Sequence, residues 1–162
     1  MASPLEALMP DILPGRIFHM AFSVGDLRRA MGQVGSALDT EWNEPRNFTI
    51  THRAPGGRTE VTIEATYSRV GPPYIELIQG PARTFFAPDE GERRIHHAGI
   101  IVEDVGAEAR RLEMLGMTIA AIGPGDSPGG AFLLSDTGLR LELMSSGVRG
   151  ILDEWFRAPP AR

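Results

Sequence analysis

Apolar and polar positions along the chain follow a pattern that occurs twice. Residues 17–27 read Ile-Phe-His-Met-Ala-Phe-Ser-Val-Gly-Asp-Leu, and residues 95–105 read Ile-His-His-Ala-Gly-Ile-Ile-Val-Glu-Asp-Val. Superposing Val24–Leu27 on Val102–Val105 sets an offset of 78 and places His19 on His97. The closing segments also correspond. Tyr74–Ile78 reads Tyr-Ile-Glu-Leu-Ile and Arg140–Met144 reads Arg-Leu-Glu-Leu-Met, so Glu76 falls on Glu142. After each His-bearing strand an aspartate can accept from the free N–H groups of a helix start. Asp26 precedes Leu27, Ala30, Met31, Val34 and Leu38, and Asp104 precedes Val105, Ala109, Leu112 and Leu115, both at helical spacing. Gly116 suits the end of the second helix. Three β-type stretches then follow in each half: about 40–52, 58–69 and 73–79, and about 117–122, 130–135 and 139–145. Turn signals such as Pro55-Gly56-Gly57 and Asp136-Thr137-Gly138 separate them.

The pattern predicts an α+β chain, one domain over 1–162, built of two βαβββ modules at about 16–80 and 95–146. A linker rich in Pro, Gly and charge joins them at about 81–94. An amphipathic C-terminal helix at about 148–157 carries Ile151, Leu152, Trp155 and Phe156. Its apolar face needs a partner: its own sheet, a lid position or a second subunit.

Strand alternation assigns faces. Phe18, Met20 and Phe22 share a face suited to helix packing, and Ile17, His19, Ala21 and Ser23 share the other. Ala98, Ile100 and Val102 lie with His96, whereas His97 lies with Gly99 and Ile101. Ile75 and Leu77 flank Glu76, and Leu141 and Leu143 flank Glu142. If helices cover one side of each sheet, both His and both Glu project from the other. Two imidazoles and two carboxylates on a concave surface suit a divalent ion of the Zn, Ni, Co, Mn or Fe type, with water or substrate completing the shell. A lone His or Glu on a strand is ordinarily a packed ring or a solvated face. Here the same residue type recurs on the same strand and face of both repeats. His96 reads as a structural residue or a support behind His97, and His52, which has no counterpart in the repeat, as a surface residue. Tyr74, Arg140 and Met144 share the parity of the two Glu residues and are candidate pocket walls, with Trp42 and Phe48 as apolar lining.

Composition narrows the chemistry. The length is that of about one domain. No cysteine is present, which excludes disulfides, zinc–thiolate sites, iron–sulfur clusters and a cysteine nucleophile. All 16 basic residues are arginine, so lysine Schiff-base chemistry is excluded. A net charge of −5 argues against a nucleic-acid partner. No apolar run approaches the roughly 18–20 residues of a membrane span, and Met1–Gly15 lacks the basic start and apolar core of a signal peptide. The expectation is a cytoplasmic protein without a membrane partner. Exposed sheet edges favour a homodimer.

From about Arg16 to Ser145 the chain resembles the vicinal oxygen chelate superfamily. This contains glyoxalase I, methylmalonyl-CoA epimerase, extradiol dioxygenases and the bleomycin and fosfomycin resistance proteins. The resemblance rests on Ile95-His96-His97-Ala98-Gly99 leading to Val102-Glu103-Asp104, and on the two Glu-bearing closing strands. It implies a cup of two βαβββ modules around a divalent metal, formed within one chain or between two. The matching ligand positions are His19, Glu76, His97 and Glu142. A His-Glu-His-Glu set resembles glyoxalase I; the epimerases usually carry Gln at the position of Glu76. The texture of the second His strand is closer to the epimerase-like branch. The implied function is a metal-dependent isomerase, epimerase or lyase moving a proton α to a carbonyl of a small carbonyl or thioester substrate. A non-catalytic binding or resistance protein and an iron-dependent oxygenase are the alternatives. The glyoxalase version makes Glu76 or Glu142 both ligand and base. The epimerase version needs a separate Glu from the middle strands, for which Glu60 and Glu64 are the candidates.

Overall fold

The computed structural model describes residues 17–88 and 95–161. The Met1–Gly15 segment and part of the predicted linker lie outside the described residues. The first module runs β1 (His19–Ser23), α1 (Leu27–Leu38), β2 (Arg46–Ala54), β3 (Gly57–Tyr67) and β4 (Tyr74–Gln79). The second runs β5 (His97–Val102), α2 (Val105–Met114), β6 (Thr118–Ile122), β7 (Gly130–Leu134) and β8 (Arg140–Ser145), followed by α3 (Val148–Arg157). Both helices start where the aspartates predict. The Asp26 carboxylate accepts from the Arg29 N–H at 2.9 Å and that of Asp104 from the Ala107 N–H at 2.8 Å. β2 begins later than the periodicity predicts. Trp42 and Asn43 make only isolated bridges, to Ser68 and Pro160.

The eight strands close into a barrel in the order β1-β4-β3-β2-β6-β7-β8-β5. The modules meet at two seams. β1 pairs antiparallel with β5, setting His19 opposite Gly99 and Ala21 opposite His97. At the other seam β2 and β6 share a single pair, Arg53 with Ile122. The cup is therefore completed within one chain.

What covers the outer surface decides which way each strand faces. α1 packs Leu27 and Met31 on Leu77, and α2 packs Val105, Ala109 and Leu112 on Leu133 and Leu143. The leucines of β4 and β8 thus point outward beneath helices, and Glu76 and Glu142 point inward. Over β2 and β3 the outer face is exposed: Thr49 hydrogen-bonds Thr62 at 2.9 Å and Thr51 donates to Glu60 at 3.3 Å. The apolar residues of β3 turn inward instead, where Val61, Ile63 and Ala65 join Ala21, Ile78 and Phe132.

Two further placements differ from the sequence reading. Phe18 does not pack on α1; its ring stacks on Phe156 of α3, because it lies ahead of β1 at the barrel end that α3 covers. The predicted linker is partly core. Phe86 is fully buried, and a Cβ at Gly80 would come within 2.6 Å of its Cβ, so only glycine leaves room there. The apolar face of α3 finds its partner in its own barrel. Leu152 and Trp155 are buried against Tyr67, and the Trp155 Nε1–H donates to the Glu44 carbonyl at 2.7 Å. Burying an indole removes about 150–250 Å² from water, a stabilisation of about 4–6 kcal/mol. No helix among the described residues is long and apolar enough to cross a membrane.

Candidate metal centre

The barrel brings His19, Glu76, His97 and Glu142 together, with one donor atom of each within 4.8 Å of all the others. Pairing explains the convergence, because residues opposite each other on neighbouring strands share a face. Ala21 pairs with both Glu76 and His97, and Gly99 pairs with both His19 and Glu142. The two central partners are small, and the larger side chains fill the space above them. A Cβ at Gly99 would collide with the His19 ring.

The separations fit donors converging on one point. His19 Nε2 lies 2.9 Å from His97 Nε2, 3.2 Å from Glu76 Oε2 and 3.1 Å from Glu142 Oε2. His97 Nε2 lies 3.5 Å from Glu76 Oε2 and 3.1 Å from Glu142 Oε2. Ligands held about 2.1 Å from a shared ion stand about 3.0–3.4 Å apart. Glu76 Oε2 is buried and accepts no hydrogen bond, an arrangement that costs free energy unless a cation compensates it. The four residues can therefore hold a divalent metal, and mixed imidazole–carboxylate donors suit the ions named above.

His96 sets the orientation of His97. Its Nε2 lies 2.7 Å from the Phe85 carbonyl, which can only accept, so Nε2 carries the proton. Its Nδ1 then accepts from His97 Nδ1–H at 2.8 Å. That leaves the Nε2 lone pair of neutral His97 aimed at the cluster, the usual arrangement behind a ligating imidazole. Burial lowers the His96 pKa to about 4 against the opposing pull of the Phe85 carbonyl, and keeps the ring neutral. Burial also disfavours charge on His97, but the carboxylates of Glu142 and Glu76 outweigh it and raise its pKa to about 9. Glu142 responds in kind: burial would raise its pKa, yet the His97 and His19 imidazoles hold it well below the carboxylate range.

Tyr67 is a site residue that the sequence reading missed. It pairs with Glu76 across β3 and β4, which sets its phenol beside the Glu76 carboxylate. Burial, with the Glu76 and Glu142 charges, holds its phenol well above the usual value, so it stays protonated. The signal was available: Tyr67 continues the inward parity of Val61, Ile63 and Ala65.

The remaining candidates divide. Met144 and Phe48 line a cavity of about 260 Å³ that contains Glu76, His97 and Glu142 and is roofed by Leu152 and Trp155. The Arg140 guanidinium lies 5.0 Å from the centre of the Phe85 ring. Tyr74 packs its ring on Phe18 and Phe156, at 5.1 and 4.8 Å, outside that lining. Trp42 is not a pocket wall. It is buried beneath α1, with its Nε1–H donating to the Met31 carbonyl at 2.9 Å. Glu60 and Glu64 do not reach the cavity. They alternate with the inward residues Val61, Ile63 and Ala65, and Glu64 pairs with Gln79 rather than with Ile78 or Glu76. His52, read as a surface residue, is buried at 8% exposure, because position 52 shares the inward parity of Phe48 and Ile50.

Comparison with known proteins agrees with the architecture. Residues 18–146 match the family model described as glyoxalase/bleomycin resistance protein/dioxygenase superfamily. Among solved structures, a variant of the Streptomyces coelicolor methylmalonyl-CoA epimerase in complex with 2-nitronate-propionyl-CoA is similar, with TM-score 0.55 and 16% identity over 81% of this chain and 96% of that one. The Mycobacterium tuberculosis methylmalonyl-CoA epimerase gives TM-score 0.52 and 16% identity over 82% and 89%. A hypothetical protein of Bacillus halodurans gives 0.51 and 13% over 81% and 94%. No curated protein sequence matches the chain. At these identities the structures show a shared fold, while the family match spans most of the chain. The protein therefore belongs to the glyoxalase/bleomycin resistance protein/dioxygenase superfamily.

Proposed function

We propose that the protein is a metal-dependent isomerase, epimerase or lyase that moves a proton on the carbon α to a carbonyl of a small carbonyl or thioester substrate. The observation that carries this is the buried His19-Glu76-His97-Glu142 cluster opening onto an apolar cavity. A divalent ion held there would supply Lewis-acid stabilisation of negative charge on oxygen, worth several kcal/mol. Thioesters stay in the substrate class because the similar epimerases include one bound to a CoA derivative.

Glu76 is the residue we assign as base. Its side chain is the more enclosed of the two, 8% exposed against 18% for Glu142, and it lies beside the Tyr67 phenol. The Tyr67 phenol, held protonated, stands beside that carboxylate. A positioned base of this kind contributes about 10²–10⁴-fold. Glu60 and Glu64 lie on the outer face, away from the cluster. Trp155 and Phe48 supply apolar wall to the cavity.

The test is metal content by mass spectrometry, followed by α-proton exchange in D₂O on carbonyl and thioester compounds. About one ion per chain is expected, lost in His19→Ala and Glu142→Ala. Exchange should require the metal and fall about 10²-fold or more in Glu76→Gln. Activity persisting in metal-free His97→Ala would overturn the proposal.

A further inference from the structure

His52 is a buried polar group that the chemistry above does not use. It lies on β2 with the inward parity of Phe48 and Ile50, 8% exposed, and its Nδ1 is buried without a hydrogen-bond partner. A buried polar atom left unpaired costs about 1–3 kcal/mol. A lone pair tolerates this better than an N–H does, so the neutral ring carries its proton on Nε2. That leaves an N–H donor as the group a ligand can meet.

The ring sits in a cavity of about 350 Å³ at the weakly paired β2–β6 seam, beside Gly123 and Pro124. This cavity and the one at the four-residue cluster share Ile50, Gly129, Gly130, Phe132 and Glu142, so the two meet at the cluster. From Glu142 the wall crosses β7 and β6 to reach β2, three strand spacings or about 14 Å. Phe132 and Ala121 make that stretch apolar. Among the described residues no arginine lines either cavity.

We propose that His52 is the distal anchor of the substrate site. The geometry assigns an elongated ligand with an oxygen pair at the cluster, an apolar middle along Phe132 and Ala121, and an uncharged hydrogen-bond acceptor meeting His52. With no cation among the described lining residues, a phosphate or carboxylate at the far end would lack a counter-charge, so an amide or carbonyl oxygen is the group that fits. This rests on the metal-centre reading above.

Three hydroxamates, which chelate through two adjacent oxygens, test it by calorimetry on the zinc-loaded protein. The first is acetohydroxamate, too short to reach residue 52. The second has an unbranched alkyl tail long enough to span the three strand spacings. The third has a tail of equal length ending in a primary amide. Wild type should bind the amide-tailed compound about tenfold tighter than the alkyl-tailed one, the selectivity of one hydrogen bond. His52→Phe should bring the two within about twofold. His52→Gln, which keeps a donor, should retain part of the preference. Labelled-histidine NMR of wild type should show the His52 Nε2 resonance moving with the amide probe alone. Equal preference in wild type and His52→Phe, or a stationary His52 resonance, would overturn the assignment while acetohydroxamate binding leaves the metal reading standing. Failure of acetohydroxamate to bind zinc-treated wild type would overturn both.

Discussion

Replacing Gly99 by alanine tests whether the centre is assembled by the β1–β5 seam. His19 and Gly99 are paired directly, and the His19 ring lies over the glycine. An added Cβ would overlap three atoms of that ring, the farthest of them, Nδ1, only 2.5 Å away. Carbon–nitrogen contact ordinarily needs about 3.5 Å, so the ring must move by about 1 Å or more. It is fully buried, with the Tyr67 and His97 ring centres 5.4 and 5.0 Å from its own, and has no free direction. Overpacking of this kind costs about 1–3 kcal/mol. For a chain of this size each kcal/mol shifts Tm by about 2–4 °C, which gives a fall of about 2–12 °C. The effect on metal is larger. Ligand distances tolerate about 0.2 Å, and losing a mere supporting residue already costs about 10–100-fold. Affinity should fall at least about 100-fold. Zinc competition against a chromophoric chelator and scanning calorimetry read the two effects. Gly32→Ala is the control. A Cβ there meets nothing within 4 Å in the middle of α1, so stability should rise by about 0.5–1 kcal/mol with metal affinity unchanged. Wild-type zinc affinity in Gly99→Ala would refute the reasoning.

Other outcomes follow from the same structure. His96→Leu removes the hydrogen bond that orients His97 and should weaken zinc binding about 10–100-fold, measured by the same competition. The His97 pKa is raised from 6.5 to about 9 in the metal-free protein. Its stabilisation is therefore complete below pH 6.5 and lost as pH rises through about 9. Calorimetry of metal-free protein should show Tm falling across that window. Zinc affinity should rise across it, because binding expels the His97 proton; a flat affinity profile would contradict the assignment. Asp26→Ala and Asp104→Ala each remove an N-cap and should cost about 1 kcal/mol by denaturant unfolding. Trp155→Ala should cost about 3–5 kcal/mol, since the indole is fully buried.

The sequence alone determined the repeated βαβββ modules, the aspartate caps and the four centre residues. Each is a local matter of side-chain type and period, and the internal repeat singled out His19, His97, Glu76 and Glu142 without reference to neighbouring strands. The facing of the middle strands was not local. Alternation separates Glu60 and Glu64 from Val61, Ile63 and Ala65, but it does not say which set faces the cavity. That depends on what covers the outer surface. Under α1 and α2 the leucines of β4 and β8 turn outward and the glutamates inward. Over β2 and β3, where Thr49, Thr62 and Glu60 stay in water, the polar residues turn outward and the apolar ones inward. The same inversion buries His52 and brings Tyr67 to Glu76, while Trp42 goes beneath α1 and Phe86 into the barrel. Only the closed barrel decides these placements, because a strand's inward face is fixed by the neighbours and helices that leave its other face in water or in contact.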